Sequence, residues 1–201
     1  MKQNFLYGLM LTLCVGIAGY AFIAYAALPL GSLVHPDMKT NFENHKLMVY
    51  LHIFASSIAL LIGPLQFSKK LRASKPRLHR TLGKIYLCVG VLLGGVAGLL
   101  MAVFAYGGLG SNLGFGILAV LWLYTGARAY WAIRHGDVLA HQRWMIRNFS
   151  LTLAAVSLRI YLPLTLVFGW PFDIAYPIIS WLCWLPNLLL AEWIYNRPAS
   201  V

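Results

Sequence analysis

Two rows of polar side chains interrupt the apolar stretches of this chain at helical spacing. His45, His52, Ser56, Gly63 and Gln66 follow at offsets of seven, four, seven and three, and His141, Asn148, Thr152 and Arg159 at offsets of seven, four and seven. Each set therefore lies on one face of a helix. An arginine held in hydrocarbon costs at least ~2.5 kcal/mol and turns toward a partner or a cavity, which makes Arg159 the strongest single pointer to a site. His52 lies fourteen residues from Gln66, and Arg159 fourteen from Met145. At ~1.5 Å per residue both stand ~21 Å above the same membrane edge, so they are expected to share a site in the outer half. The plainer reading has Arg159 satisfying carbonyls near Pro163 or Pro171 and His52 bonding Ser56.

At the opposite edge, His79 in Arg-Leu-His-Arg and His141 in His-Gln-Arg-Trp-Met-Ile-Arg precede the third and fifth apolar runs. Neutral imidazoles there have a nitrogen to offer a metal or a haem iron, with Arg80, Arg143 or Arg147 beside propionates or lipid phosphates. Two nitrogen donors from different helices suit a six-coordinate haem b better than a zinc hydrolase near Ser56 or Ser57, which needs a third protein ligand and an open water position. His135 offers a third nitrogen, but six residues from His141 across Gly136 it lacks the helical i, i+4 zinc spacing. The candidate ligands are thus His79, His141 and His52, with Arg159, Arg143 and Arg147 lining the cofactor. The plainer reading is of interfacial histidines among phosphate-binding arginines. Asp37, Glu43, Asp137, Asp173 and Glu192 are all the acids present, too few and too scattered for a paired-carboxylate mechanism.

The elements that must position these groups are membrane helices. Of 201 residues, 60% are hydrophobic and 10% charged, more apolar surface than one soluble core of that length needs. Apolar runs at about 5–27, 46–67, 80–105, 113–133, 145–168 and 174–195 predict an all-α bundle of six spans. It is expected to form one multi-pass domain, residues 1–201, with a four-helix core at about 45–168 built from helices two to five and with helices one and six more peripheral. The net charge of +11 gathers in short loops rather than on a nucleic-acid-binding face. Lys69, Lys70, Arg72, Lys75, Arg77, Arg80 and Lys84 mark one loop, and Arg128, Arg134, Arg143 and Arg147 surround another. Both loops belong in the cytoplasm of an inner membrane, with both termini on that side.

The first run, from Phe5 to Leu30, is too long for a signal-peptide core and is read as a retained helix. Gly90, Gly94 and Gly98 allow a neighbouring backbone to approach. The seven tryptophans are read mainly as interfacial anchors, and Cys14, Cys88 and Cys183 as small side chains in apolar segments rather than a thiolate site.

The stretches His52 before Ile-Gly-Pro-Leu-Gln66, Leu-His79-Arg-Thr-Leu-Gly83-Lys-Ile-Tyr86 and His141-Gln-Arg-Trp-Met-Ile-Arg147 resemble the bacterial membrane proteins of domain-of-unknown-function family 2306, over about residues 45–165. The resemblance implies a multi-pass helical protein and brings no assigned activity. The chain is also distantly similar to cytochrome b561 and ferric-reductase type four-helix bundles, in which histidines on neighbouring helices hold two b haems near opposite faces. It departs from them in that His52 has no second histidine at its depth and His79 lies at the membrane border.

The expected function is a b-type haem protein that passes electrons, with His79 and His141 as an inner axial pair and His52 with Arg159 at an outer site. Its partners would be the bilayer and a membrane redox partner or quinone. The alternatives are a non-redox binding or transport module for an anion, quinone-like or lipid head group, a membrane zinc hydrolase, and a structural subunit of a complex. Cysteine-labelling reporters at Ser74 and Gly136 are expected to react only from the cytoplasm and one at Asn41 only from outside. Labelling of Ser74 and Asn41 from one side overturns the six-span topology.

Overall fold

The computed structural model describes the backbone of residues 2–195 and the side chains of residues 5–194. Met1 and residues 196–201, which include the expected cytoplasmic ends, lie outside the described residues. Among the described residues six helices are long and apolar enough to cross a membrane: Phe5–Ala27, Lys46–Gln66, Pro76–Ala102, Leu109–Arg134, Val138–Val167 and Phe172–Ile194. Large apolar side chains stay exposed along them, as at Ile23 (71%) and Val167 (78%). Lipid, not water, suits such a surface.

The spans are assembled from helices α1 (Lys2–Ala27), α2 (Pro36–Asn44), α3 (Lys46–Gln66), α4 (Lys69–Ser74), α5 (Pro76–Ile85), a π-helical segment (Tyr86–Leu93), α6 (Gly94–Ala102), α7 (Leu109–Arg134), α8 (Val138–Thr152), α9 (Ala154–Val167), α10 (Phe172–Leu182) and α11 (Leu185–Tyr195). Several helix starts lie earlier than the hydropathy runs, two of them in polar first turns. Pro76 opens α5 at its first turn, where the fixed φ of proline is already helical and its missing N–H costs nothing. Asp137 caps α8 by accepting from the Ala140 N–H at 2.9 Å, satisfying one of the first-turn donors. His79 and His141, expected just ahead of their helices, thus lie inside the first turns.

The chain divides into two compact units, one running to Met101 and one from Ala102. In the first unit α3 is central, packing on α1 and on the third span. Ala21, Val49 and Ile53 are its buried core, with Tyr25, Leu30, Phe42 and Met101 against them. The close approach of α3 to the third span depends on glycine. A Cβ at Gly90 would lie 2.7 Å from the Cβ of Ala59, and one at Gly94 2.9 Å from Ser56 Oγ.

In the second unit α7 packs along α8, and the last span divides its partners, α10 against α7 and α9, and α11 against α8. The helix breaks at Leu153, between α8 and α9. Beyond that point the fifth span packs on α10, which seats Ser180 against Gly114. The first span, read from sequence as peripheral with the last, packs on α3, and the last packs on α7, α8 and α9.

Gly90→Ala is expected to destabilise the protein by ~1–3 kcal/mol, the range for overpacking a fitted contact. Thermal unfolding in detergent measures it, and adding Ala59→Gly should recover most of the loss.

Candidate functional site

In the first unit the polar face of α3 meets the glycine face of the third span, running the opposite way. His52 lies against Gly98, Ser56 against Gly94, Ala59 against Gly90 and the amide of Gln66 against Gly83. The middle of that face is π-helical, from Tyr86 to Leu93, an irregularity often found at functional sites. The half-buried His52 has Nδ1 2.8 Å from the carbonyl oxygen of Gly94. A carbonyl only accepts, so Nδ1 carries the hydrogen, and in the neutral ring Nε2 holds the lone pair. Ser56 Oγ, the partner read from sequence, is at 3.5 Å. Gly98 completes the seat, because a Cβ there would come within 2.8 Å of Nδ1 and 2.9 Å of Cε1.

At the other end of α3, Gln66 is 7% exposed and its Nε2 meets no acceptor among the described residues. The carbonyl of Gln66 accepts from Arg72 at 3.0 Å. His79 is half-buried in the first turn of α5.

The second polar row folds onto α7. Asn148, 0% exposed, donates Nδ2–H to the Trp122 carbonyl at 2.7 Å and to Thr125 Oγ1 at 2.9 Å. Trp122 Nε1–H donates to Thr152 Oγ1 at 2.9 Å. Two turns nearer the helix start, His141 Nδ1–H donates to the Ala129 carbonyl at 2.9 Å, which in the neutral ring leaves Nε2 as the lone-pair nitrogen.

His45 and His135 also bond carbonyls through Nδ1, but those of Asn41 and Trp131, each four residues earlier in sequence. His52 and His141 instead reach carbonyls of a neighbouring helix. Among the described residues no three His, Cys, Asp or Glu side chains gather to hold a metal, so the zinc reading gains no third ligand from these positions.

Arg159 lies past the break at Leu153, on the part of the fifth span that packs on α10. Its Nη1 donates to the Ala155 carbonyl at 3.1 Å. His52 and His79 belong to the first unit, and Arg159 and His141 to the second. Arg143 is exposed. Arg147, expected beside propionates or phosphates, instead forms a two-pronged ion pair with Glu192, its Nη2 2.9 Å from Oε2. The signal for that pair was present in the sequence, since a carboxylate within an apolar span calls for a cation. Trp122 and Trp184, counted among the interfacial anchors, are 6% and 3% exposed and belong to the core.

The spans and their enclosed polar groups define a multi-pass helical membrane protein. Residues 49–195 match the family described as predicted membrane protein (DUF2306), and the chain belongs to that family. The match takes in the sixth span, beyond the motifs that carry the resemblance in sequence. No curated protein and no solved structure matches the chain.

Asn148→Ala is expected to lower stability by ~1–3 kcal/mol, the cost of stranding buried hydrogen-bond partners. Chemical denaturation in detergent measures it, and an unchanged midpoint would remove Asn148 as the polar link between α7 and α8.

Proposed function

We propose that this protein is a b-type haem electron-transfer protein of the inner membrane, with its termini in the cytoplasm. His79 and His141 would hold its haem iron, and His52 with Arg159 would mark a second, outer site. The observation that carries this reading is the shared hydrogen bonding of His52 and His141. Each gives Nδ1–H to a carbonyl of a neighbouring helix, at 2.8 and 2.9 Å. That bond fixes the tautomer and aims the ring, which is how proteins prepare a histidine to ligate a metal.

The donor set fits haem on chemical grounds: neutral imidazole nitrogens, few carboxylates and an apolar surround. Haem would supply one-electron chemistry. The protein's own part is to hold the imidazoles in one tautomer, exclude water with the packed glycine face and set positive charge nearby through Arg159 and Arg143.

A non-redox binding module for an anion, quinone-like or lipid head group is the second reading. The enclosed Nε2 of Gln66 favours it, because a buried amide donor without an acceptor suits a ligand oxygen.

Protein purified from haem-supplemented cells is expected to carry iron and a Soret band that moves on dithionite reduction. His79→Ala and His141→Ala should each leave five-coordinate or empty haem, while His135→Ala leaves the spectrum unchanged. A colourless, iron-free preparation overturns the haem reading and leaves the binding module.

A further inference from the structure

A second cluster lies at the end of α7 nearest the turn to α8, and the haem reading does not draw on it. Arg128 is exposed, and its guanidinium carbon stands 5.9 Å from the ring centre of Tyr124, 6.0 Å from that of Trp131 and 5.0 Å from that of Trp144. Its Nη1 donates to the Tyr124 hydroxyl at 3.2 Å. Tyr124 and Trp144 meet edge to face, 5.7 Å apart. The rings pin the charge without neutralising it.

The contrast with Arg147 is instructive. That guanidinium also lies over Trp144, at 4.5 Å, but its charge is met by Glu192. Arg128 has no ion pair among the described residues, where Arg147 to Glu192 and His35 to Asp37 are the pairs present. Asp137 in the adjoining turn uses Oδ1 to cap α8. Four of the five guanidinium N–H donors of Arg128 remain beyond the bond to Tyr124.

The helix face leading away from Arg128 says what kind of ligand brings the missing charge. Tyr124, Val120, Ile117 and Leu113 follow at offsets of four, four, three and four, on one side of α7, and they are 47%, 51%, 39% and 48% exposed. From Arg128 to Ile117 is eleven residues, or ~16 Å, which matches the ~15 Å hydrocarbon depth of one leaflet. Tyr124 and Trp131 beside the guanidinium are of the types that settle at head-group level.

We propose that Arg128 holds the phosphodiester of an anionic membrane phospholipid, with one acyl chain lying along Tyr124, Val120 and Ile117. A planar guanidinium takes phosphate by two parallel N–H bonds, and the ring cage prepays its ordering. The uncompensated charge selects lipids of net negative charge.

The test is native mass spectrometry of the full chain in detergent, with dioleoyl phosphatidylglycerol, dioleoyl phosphatidylcholine or inorganic phosphate added. One phosphatidylglycerol should be retained, at least roughly tenfold more than phosphatidylcholine. Arg128→Gln should lower retention by roughly tenfold or more, as expected for losing charge-assisted hydrogen bonds. Arg128→Lys, which keeps the charge but not the fork, should give an intermediate loss, and exposed Arg77→Gln none. Equal retention by Arg128→Gln, or equal uptake of phosphatidylcholine, overturns the proposal. Displacement of the lipid by millimolar inorganic phosphate would overturn the lipid as source and assign the site to free phosphate.

Discussion

Lipid gives helices no hydrophobic reason to associate, so contact has to come from close backbone approach and from polar groups that have nowhere else to bond. The two units meet this constraint in different ways. In the first, glycines let α3 lie almost against the backbone of the third span, close enough that a single methyl group at Gly90 would overlap Ala59. In the second, the amide of Asn148 and the indole of Trp122 form the link between α7 and α8. The histidines take their chemistry from this arrangement. His52 reaches the Gly94 carbonyl because Gly98 carries no side chain in its way, and His141 reaches the Ala129 carbonyl on the facing helix.

Six spans, the glycine face, the polar row of α3 and the second row as far as Thr152 were legible in the sequence, because each rests on a periodicity or a run length that the order of residues carries. The rest turned on local backbone chemistry. Helix starts at Pro76 and Val138 were hidden because hydropathy averages away a polar first turn, although Pro76 and Asp137 mark those starts. The break at Leu153 has no proline or glycine at that residue to announce it, and it separates Arg159 from the row its spacing seemed to join. The π-helical segment lies in an unremarkable apolar run. Trp122 was misread because an indole serves equally well at a head group or buried with a hydroxyl to bond.

Positive charge was read from sequence as a marker of topology and, at Arg143, Arg147 and Arg159, as part of a site, and the structure divides it further. Arg147 closes on a carboxylate of the last span, Arg128 is caged by aromatic rings, and Arg143 is exposed. Three arginines within one short stretch of surface thus have three different electrostatic environments, which counting charges cannot reveal.

The fifth span has a consequence for the membrane itself. Its 30 residues amount to ~45 Å of helix, against ~30 Å of hydrocarbon, and tilts in the ordinary range of 0–40° absorb only part of the excess. The surplus falls at the end where His141, Gln142 and Arg143 interrupt the apolar surface. That first stretch of α8 stands among head groups as a wetted post. A thicker bilayer would draw it in and a thinner one would lift it out, so hydrophobic thickness governs how much water reaches the His141 turn.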